Sequence, residues 1–384
     1  MGRFIIFLIV FFSIYGGLHL YALLKAKRAL EIGSGMTVLT VIFFVTMVFA
    51  PVIVRIAERN GFELLARLMA YFGYTWMGLL FIFVSIAFAL DIYHLFLNLG
   101  RFILHTDLSA ITLTPRHSFT IALLLSVVIT FYGAFEAVMI RTEHVIIKTN
   151  KIPEKFDRLR IAQISDVHLG LIVGVKRLER ILNQVKAANP DILISTGDLV
   201  DGQMDDLANL ANMLQKISAK HGKFAITGNH EFYAGLPRSL DFIKKAGFTV
   251  LRGEGVGISG WLNIAGIDDT AGDYYGIVRS VSEKELLSKF SREKFTLLLK
   301  HRPLIDENAI GLFDLQLSGH AHKGQIFPFS LITMLSFPAH SGLLKLEKNS
   351  LLYVNRGSGT WGPPIRFLAP PEVTIIDLVH EPTK

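Results

Sequence analysis

Four apolar runs, Phe4–Leu24, Met36–Val54, Leu68–Leu90 and Phe119–Ile140, fill most of the first 140 residues. Each is close to the roughly 20 residues a helix needs to cross the hydrocarbon core of a bilayer. Such runs leave few folds open, because backbone amides in lipid must be satisfied within the segment, by a helix or a closed barrel. At this length they read as helices. A signal peptide does not account for the first run: it exceeds an h-region, no small-x-small cleavage pattern follows it, and three more runs come after. The expectation is a helical transmembrane domain of about four spans over residues 1–140. A globular domain follows over residues 141–384, where charge, Gly and short apolar runs mix in ordinary proportion.

Ionisable residues in the runs are few. His19, Asp91, His94 and Glu136 lie near run ends, where snorkelling to the interface accounts for them, so the spans read as an anchor rather than a transport path. Four spans put both ends of the domain on one side. That side collects Arg3, Arg55, Arg59, Arg67, Arg141, Lys148, Lys151 and Lys155, against Lys25, Lys27, Arg28, Arg101 and Arg116 on the other. The positive-inside bias then places the globular domain in the cytoplasm, held at the inner (plasma) membrane by a multi-pass anchor. The net charge of +7 is not gathered into a block that would mark a nucleic-acid footprint, so no nucleic-acid partner is expected. Cysteine is absent, which removes disulfides, thiolate metal sites and cysteine nucleophiles.

Five segments of the second half share one design: "LRIAQISDVH", "PDILISTGD", "KFAITGNHE", "FTLLLKHRP" and "FDLQLSGHAH". Each is a short β-rich apolar run closed by Gly, Asp, Asn or His. Between the first two, Val175, Leu178, Ile181, Leu182 and Val185 fall at helical spacing; between the next two, Leu207, Leu210, Leu214 and Ile217 do the same. Strands alternating with amphipathic helices imply βαβ units and buried, largely parallel strands, followed by a turn-rich antiparallel section around "FTVLRGEGVGISGWLNIAGID". The fold class is α/β.

Ligands of α/β sheets sit outside the carboxyl ends of the strands. The residues delivered there are Asp166 and His168, Asp198 with Asp201, Asn229 and His230, His301, and His320 with His322. Neighbours at i and i+2 in an extended segment face the same way, so Asp166 and His168 can share one cation, while His320 and His322 can straddle one site or divide between two. Carboxylate, imidazole and amide ligands suit Mn²⁺, with Fe²⁺ or Zn²⁺ also accommodated. Seven candidate ligands (Asp166, His168, Asp198, Asn229, His301, His320 and His322) exceed what one catalytic ion with an open position can use. They suit two divalent ions about 3.5–4 Å apart, with a bridging carboxylate. Such a pair activates a bridging hydroxide for in-line attack on a phosphoryl group, and His230 is placed to protonate the leaving oxygen as the catalytic acid. Asp201 is expected to support its loop. Other histidines, such as His117 and His221, lack such neighbours.

The blocks "DVH", "GDLVD", "GNHE", "KHRP" and "GHAH" resemble the signature of the calcineurin-like metallophosphoesterase superfamily over Arg160 to Val379, and the order with "YVNRGSGTWGPPIRFLAPPEVTIIDL" looks most like its bacterial membrane-anchored branch. The resemblance implies a four-layer sandwich, two mixed β-sheets flanked by helices. Carried over residue by residue, it implies one ion on Asp166, His168, Asp198 and His322, and a second on Asp198, Asn229, His301 and His320. It also implies a small-molecule or lipid-linked phosphate substrate. Membrane-anchored relatives include enzymes that resemble the pyrophosphatase of UDP-2,3-diacylglucosamine, an intermediate of lipid A assembly. A general phosphodiesterase for nucleotides or nucleic acid, and a non-catalytic scaffold of the same fold, remain the alternatives.

Two segments bear on substrate. "IFPFSLITMLSFPAHSGLLKL" is nearly free of charge, and fits contact with an acyl chain, a dip into the bilayer, or ordinary core packing. Arg356 in "NRGSGTWG" fits either a second phosphate or structural pairing. Asp273, Tyr274 and Tyr275 either line the site or form a polar turn.

Overall fold

The apolar runs fold as helices α1 (Gly2–Leu30), α2 (Ser34–Val48), α3 (Ala50–Arg59), α4 (Glu63–Leu104) and α5 (Pro115–Glu136). The computed structural model describes residues 2–156, 158–202, 207–276 and 281–382; Asp205 and Asp206, just ahead of the second amphipathic segment, and the last two residues of the chain lie outside them. The chain divides into two compact units, one of Met1–Phe135 with Gly362–Ile365 and one of Glu136–Trp361 with Arg366–Lys384.

In the helical unit, Leu8–Leu30, Glu63–Leu104 and Ser109–Glu136 are long and apolar enough to cross a bilayer, and α2 with α3 qualifies as a pair bent by 51°. The second run is thus broken, where Pro51 opens α3 without an N–H to continue the ladder. The third run is the middle of a 42-residue helix, which at 1.5 Å per residue is about twice the length of one crossing. Side-chain pairs give the directions. His19 meets Trp76 and Lys25 meets Asp91, so α1 and α4 run the same way. Phe12 meets Phe49 and His19 meets Phe44, so α2 runs against α1. Phe83 meets Phe119 and His94 meets the Leu113 carbonyl, so α5 runs against α4. The bent pair therefore carries the chain back to the end from which α1 started, as a broken span does and a re-entrant loop does not.

Snorkelling does not describe three of the four ionisable residues, of which Glu136 is buried with the Arg141 guanidinium 3.6 Å away. His19 is buried, donating Nδ1–H to the Tyr15 carbonyl (2.8 Å) and accepting from Trp76 Nε1–H (2.9 Å). Asp91 pairs with Lys25 across α1 and α4, and accepts from the Tyr21 hydroxyl at 2.6 Å. The sequence did not reveal this pairing, because the partners are 66 positions apart. Opposite charges joined in a low dielectric cancel, which is how a bundle keeps them in or near lipid.

Among the described residues the second unit contains twelve strands: β1 (Arg141–Thr149), β2 (Leu159–Ile164), β3 (Ile192–Ser195), β4 (Lys223–Ala225), β5 (Thr249–Val250), β6 (Glu254–Ile258), β7 (Leu262–Gly266), β8 (Phe295–Leu299), β9 (Leu315–Ser318), β10 (Gly342–Lys345), β11 (Leu351–Val354) and β12 (Glu372–His380). They form two six-stranded mixed sheets, ordered β1-β12-β2-β3-β4-β5 and β10-β11-β9-β8-β7-β6. The first sheet is parallel except at β12–β2; the second is parallel from β11 to β7 and antiparallel at both edges. Helices α6 (Val175–Ala188), α7 (Ala208–Gln215), α8 (Asn229–Tyr233) and α9 (Leu236–Lys245) connect strands of the first sheet.

Strand alternation assigns the layers. Ala162, Leu193 and Ala225 face Leu178, Leu182, Leu214 and Ile243 of the helices. Their neighbours Ile161, Ile192 and Ile194 face the other way, against Ile264, Leu297, Leu315 and Leu317 of the second sheet. On that sheet's outer face Ala265 and Leu298 meet Leu286, Leu287 and Phe313. The result is the expected four-layer sandwich. Each fully buried Leu or Ile contributes about 1.5–3 kcal/mol, and together they hold the register that brings the polar strand ends level. Ile164 pairs with Ser195, and Ser195 with Ala225; in the second sheet Leu299 pairs with Leu317.

Candidate metal centre

Each of these strands stops two to four residues before the first polar residue it delivers. Asp166 and His168 follow β2, Asp198 follows β3, Asn229 and His230 open α8 after β4, His301 follows β8, and His320 with His322 follow β9. The chain is not extended there, contrary to the alternation argument. Asp166, His168, Asp198, His320 and His322 all have left-handed backbones, with φ between 48° and 66°. Non-glycine residues rarely adopt this conformation, and when they do in a cluster they tend to mark a functional site. The surrounding glycines make the turns possible: a Cβ on Gly228 would collide with the Asp198 carboxylate, and one on Gly319 with Ser165 and Asp166.

The two histidines of "GHAH" divide rather than straddle. His322 Nε2 lies 3.2 Å from His168 Nε2 and 3.3 Å from Asp166 Oδ1. His320 Nδ1 lies 3.1 Å from His301 Nε2, which is 3.3 Å from Asp198 Oδ2. The same Asp198 oxygen is 3.9 Å from His168 Nε2, so it stands between the two groups. Neighbouring ligand atoms about 2.1 Å from a common ion are about 3–3.4 Å from one another in tetrahedral or cis-octahedral geometry. Asp166, His168 and His322 form one cluster able to hold a cation, and Asp198, His301 and His320 another. Asn229 Oδ1 is buried without a hydrogen-bond partner, as is His168 Nδ1.

Without metal, one imidazole of the two clusters, His301, carries positive charge, while burial holds His322, like His168 and His320, below the usual imidazole value. Burial would push the Asp166 and Asp198 carboxyls up, but His322 for the first and His301 for the second outweigh it and hold both well below the usual range. Burial opposes charge on His301 too, yet Asp198 and Asp166 raise it to about 10. His168 and His320 go the other way, to about 3 and about 4, because burial and a charged neighbouring imidazole both disfavour protonation. A buried nest that draws protons onto imidazole to offset its carboxylates suits divalent cations.

His230 stands beside the clusters. Its backbone N–H donates to Asp198 Oδ1 (2.8 Å) and its Nδ1–H to Asp201 Oδ1 (2.9 Å). Burial opposes its charge, but Asp198 and Asp201 raise its pKa to about 9. Asp201 is thus more than a loop support; its spacing from Asp198 in "GDLVD" was visible, its partner was not. Glu231 also went unread. Fully buried, it accepts from the N–H groups of Gly228 (2.7 Å), Leu199 (2.8 Å), Asp198 (2.9 Å) and Val200 (3.2 Å), tying the turn after β3 to the turn after β4. Arg366 gave no sequence signal. It is fully buried, donates to the carbonyls of His322, Arg356, Gly359 and Ala369, and sets Nη2 3.0 Å from His322 Nδ1.

Arg356 takes the structural alternative, paired with Glu143 and with Glu372 (2.6 Å). Tyr275 stacks on Phe232 at 6.5 Å, two residues from His230, while Tyr233 and Trp361 approach the His230 ring at 5.3 and 6.0 Å. These aromatics and the bidentate Arg302–Asp269 pair next to His301 border the centre. A cavity of about 690 Å³ opens at the opposite ends of the same strands, but its Arg160 is already held by Asp377 and it contains none of these residues.

Residues 159–324 match the family model described as calcineurin-like phosphoesterase. An uncharacterised metallophosphoesterase of Aquifex aeolicus is 42% identical over 66% of this chain and 97% of its own. One of Campylobacter jejuni is 28% identical over 98% of both chains. A zebrafish protein described as a transmembrane protein with metallophosphoesterase domain is 30% identical over 77% of this chain and 71% of its own.

Proposed function

The chain belongs to the calcineurin-like phosphoesterase family, and from that premise we propose that it is a membrane-anchored two-metal hydrolase of a lipid-linked phosphoester or pyrophosphate, with UDP-2,3-diacylglucosamine as the substrate to test first. The observation that carries the reading is Asp198 Oδ2 standing between His168 and His301, at 3.9 and 3.3 Å. In this reading Asp166, His168, Asp198 and His322 hold one divalent ion and Asp198, Asn229, His301 and His320 the other, with Mn²⁺ the first candidate. Bound there, the ions supply an activated water and Lewis-acid stabilisation of charge on phosphoryl oxygens.

The remaining steps belong to side chains. Asp201 fixes the His230 ring through Nδ1 and leaves Nε2 to donate a proton to the departing oxygen. Arg366 packs its guanidinium behind the His322 ring, with Nη2 3.0 Å from Nδ1. Tyr233 and Trp361 offer faces for a base or sugar ring beside His230, which supports a nucleotide-linked substrate; the apolar helices of the first unit support one embedded in lipid. A catalytic domain on the cytoplasmic face of the inner membrane suits a UDP-sugar, and rests on the basic side of the anchor.

The test uses full-length protein in detergent, stripped of metal and reloaded with Mn²⁺, beside Asp198→Ala. Release of UMP and acylated sugar phosphate by the wild type alone, read by mass spectrometry, supports the reading. Metal-dependent cleavage of an aryl phosphodiester without turnover of the lipid keeps the hydrolase and removes the lipid A substrate. Silence on both with metal bound favours the scaffold.

A further inference from the structure

The short helix Phe329–Ser336 has reversed polarity for a surface in water. Its buried residue is Thr333, whereas Phe329, Leu331, Ile332, Met334 and Leu335 are exposed, Leu335 by 90%. Phe327, just before the helix, is exposed as well. Single apolar residues are ordinary on a protein surface, but a contiguous set is not. Residues 324–344 contain no Asp, Glu, Lys or Arg, and Lys323 and Lys345 flank them.

We propose that this helix inserts into the surface of a lipid bilayer and holds the mouth of the metal centre at headgroup level. Three observations favour lipid over a protein partner. The chain brings its own apolar helices, and only residues 137–140 separate α5 from β1, a tether of about 14 Å at full stretch, so the phosphoesterase unit is joined closely to a lipid-seeking segment. The apolar stretch ends in lysines on both sides, whose stems follow lipid while their ammonium groups reach anionic phosphates. An exposed aromatic of the kind found at interfaces adjoins it: Trp361 exchanges two backbone-to-side-chain hydrogen bonds with Gln325, at 2.8 and 3.0 Å.

The helix leads to the chemistry at both ends. Phe337, which follows it, meets the His320 ring edge-on at 5.8 Å, and Trp361 is 6.0 Å from the His230 ring. A side chain inserted about 5–10 Å into the headgroup–acyl boundary brings these histidines to the depth at which a lipid phosphate lies. A substrate anchored by acyl chains then presents its phosphate without leaving the membrane. That consequence rests on the proposed function; the insertion does not.

The absence of cysteine makes the test direct. Leu335→Cys, and Lys245→Cys as control, would carry a nitroxide in full-length protein reconstituted in nanodiscs of phosphatidylethanolamine and phosphatidylglycerol. Collisions with oxygen, which concentrates in lipid, are compared with collisions with a water-soluble nickel chelate. The expected result is several-fold greater relative accessibility to oxygen at position 335 and the reverse at 245. Equal nickel accessibility at both positions would overturn the proposal, as would shielding of position 335 from both reagents, which indicates cover by protein. A Leu331→Ser/Leu335→Ser protein should lose several-fold in turnover of a lipid phosphate and keep its rate on a soluble aryl phosphodiester. Failure of the wild type on the aryl ester would count against the catalytic reading, while the nitroxide result would still decide the insertion.

Discussion

His230 and His301 are both protonated at neutral pH when no metal is bound, and their charges serve different ends. His301, raised to about 10 by Asp198 and Asp166 against the pull of burial, must lose its proton to bind a cation through Nε2. Its Nδ1–H is already donated to the Thr196 carbonyl at 2.8 Å, so the displaced proton leaves the protein. Metal binding at pH 7 should therefore release at least one proton per chain, and affinity should rise with pH up to the His301 value. Calorimetric titration of stripped protein with Mn²⁺ in buffers of differing ionisation heat counts the protons; no dependence on buffer would remove His301 from the ligand set. In the proposed reaction His230 keeps its proton for transfer to the leaving group. His230→Asn should lower kcat by about 10²–10⁴-fold on substrates with alkoxide-type leaving groups, while metal content stays at two per chain. With an aryl leaving group, which departs without protonation, the defect should shrink. An equal loss on both would indicate that the residue only shapes the site.

The turns, more than the strands, set the site, and Glu231 joins two of them. Its carboxylate accepts four buried backbone N–H groups and stands near Asp198, and burial with that neighbouring charge pushes its pKa up to about 7. Glu231→Ala leaves those donors unpaired, at a cost of about 1–3 kcal/mol each where no water enters. The expected outcome is a fall of several degrees in Tm and loss of the second metal, measured on the full chain by thermal unfolding and elemental analysis. An unchanged Tm with normal metal content would show that the two turns hold without it. This is also where legibility in the sequence ends. The apolar strands and the amphipathic α6 could be read because burial imposes periods of 2 and 3.6 on residues adjacent in sequence. The candidate ligands could be singled out because Asp, Asn and His recur at strand ends. Left-handed backbones at Asp166 and His322, the partnership of Asp201 with His230 and the reach of Arg366 to His322 depend on contacts between distant segments, which local pattern does not encode. The broken second span was signalled by Pro51, whereas the full length of α4 was masked by the charged and polar residues at its ends.

Across the whole chain, the number of crossings decides which compartment the phosphoesterase unit serves. Length and composition leave three or four, and the shared direction of α1 and α4 favours four. With four, the loops around Ser34 and Ser109 lie on one face of the membrane, and the α3–α4 turn at Asn60 lies with the phosphoesterase unit on the other. With a re-entrant α2–α3 pair, Ser34 and Asn60 would share a face. Single cysteines at Ser34, Asn60, Ser109 and Lys148, all exposed, separate the cases in an otherwise cysteine-free chain. On intact cells an impermeant maleimide should modify Ser34→Cys and Ser109→Cys, and reach Asn60→Cys and Lys148→Cys only after lysis. Joint reaction of Asn60→Cys with Ser34→Cys would make the bent pair re-entrant. Reaction of Lys148→Cys on intact cells would place the candidate metal centre outside the cytoplasm. A cytosolic UDP-sugar could not reach it there, although the same residues would still bind metal and cleave phosphoesters.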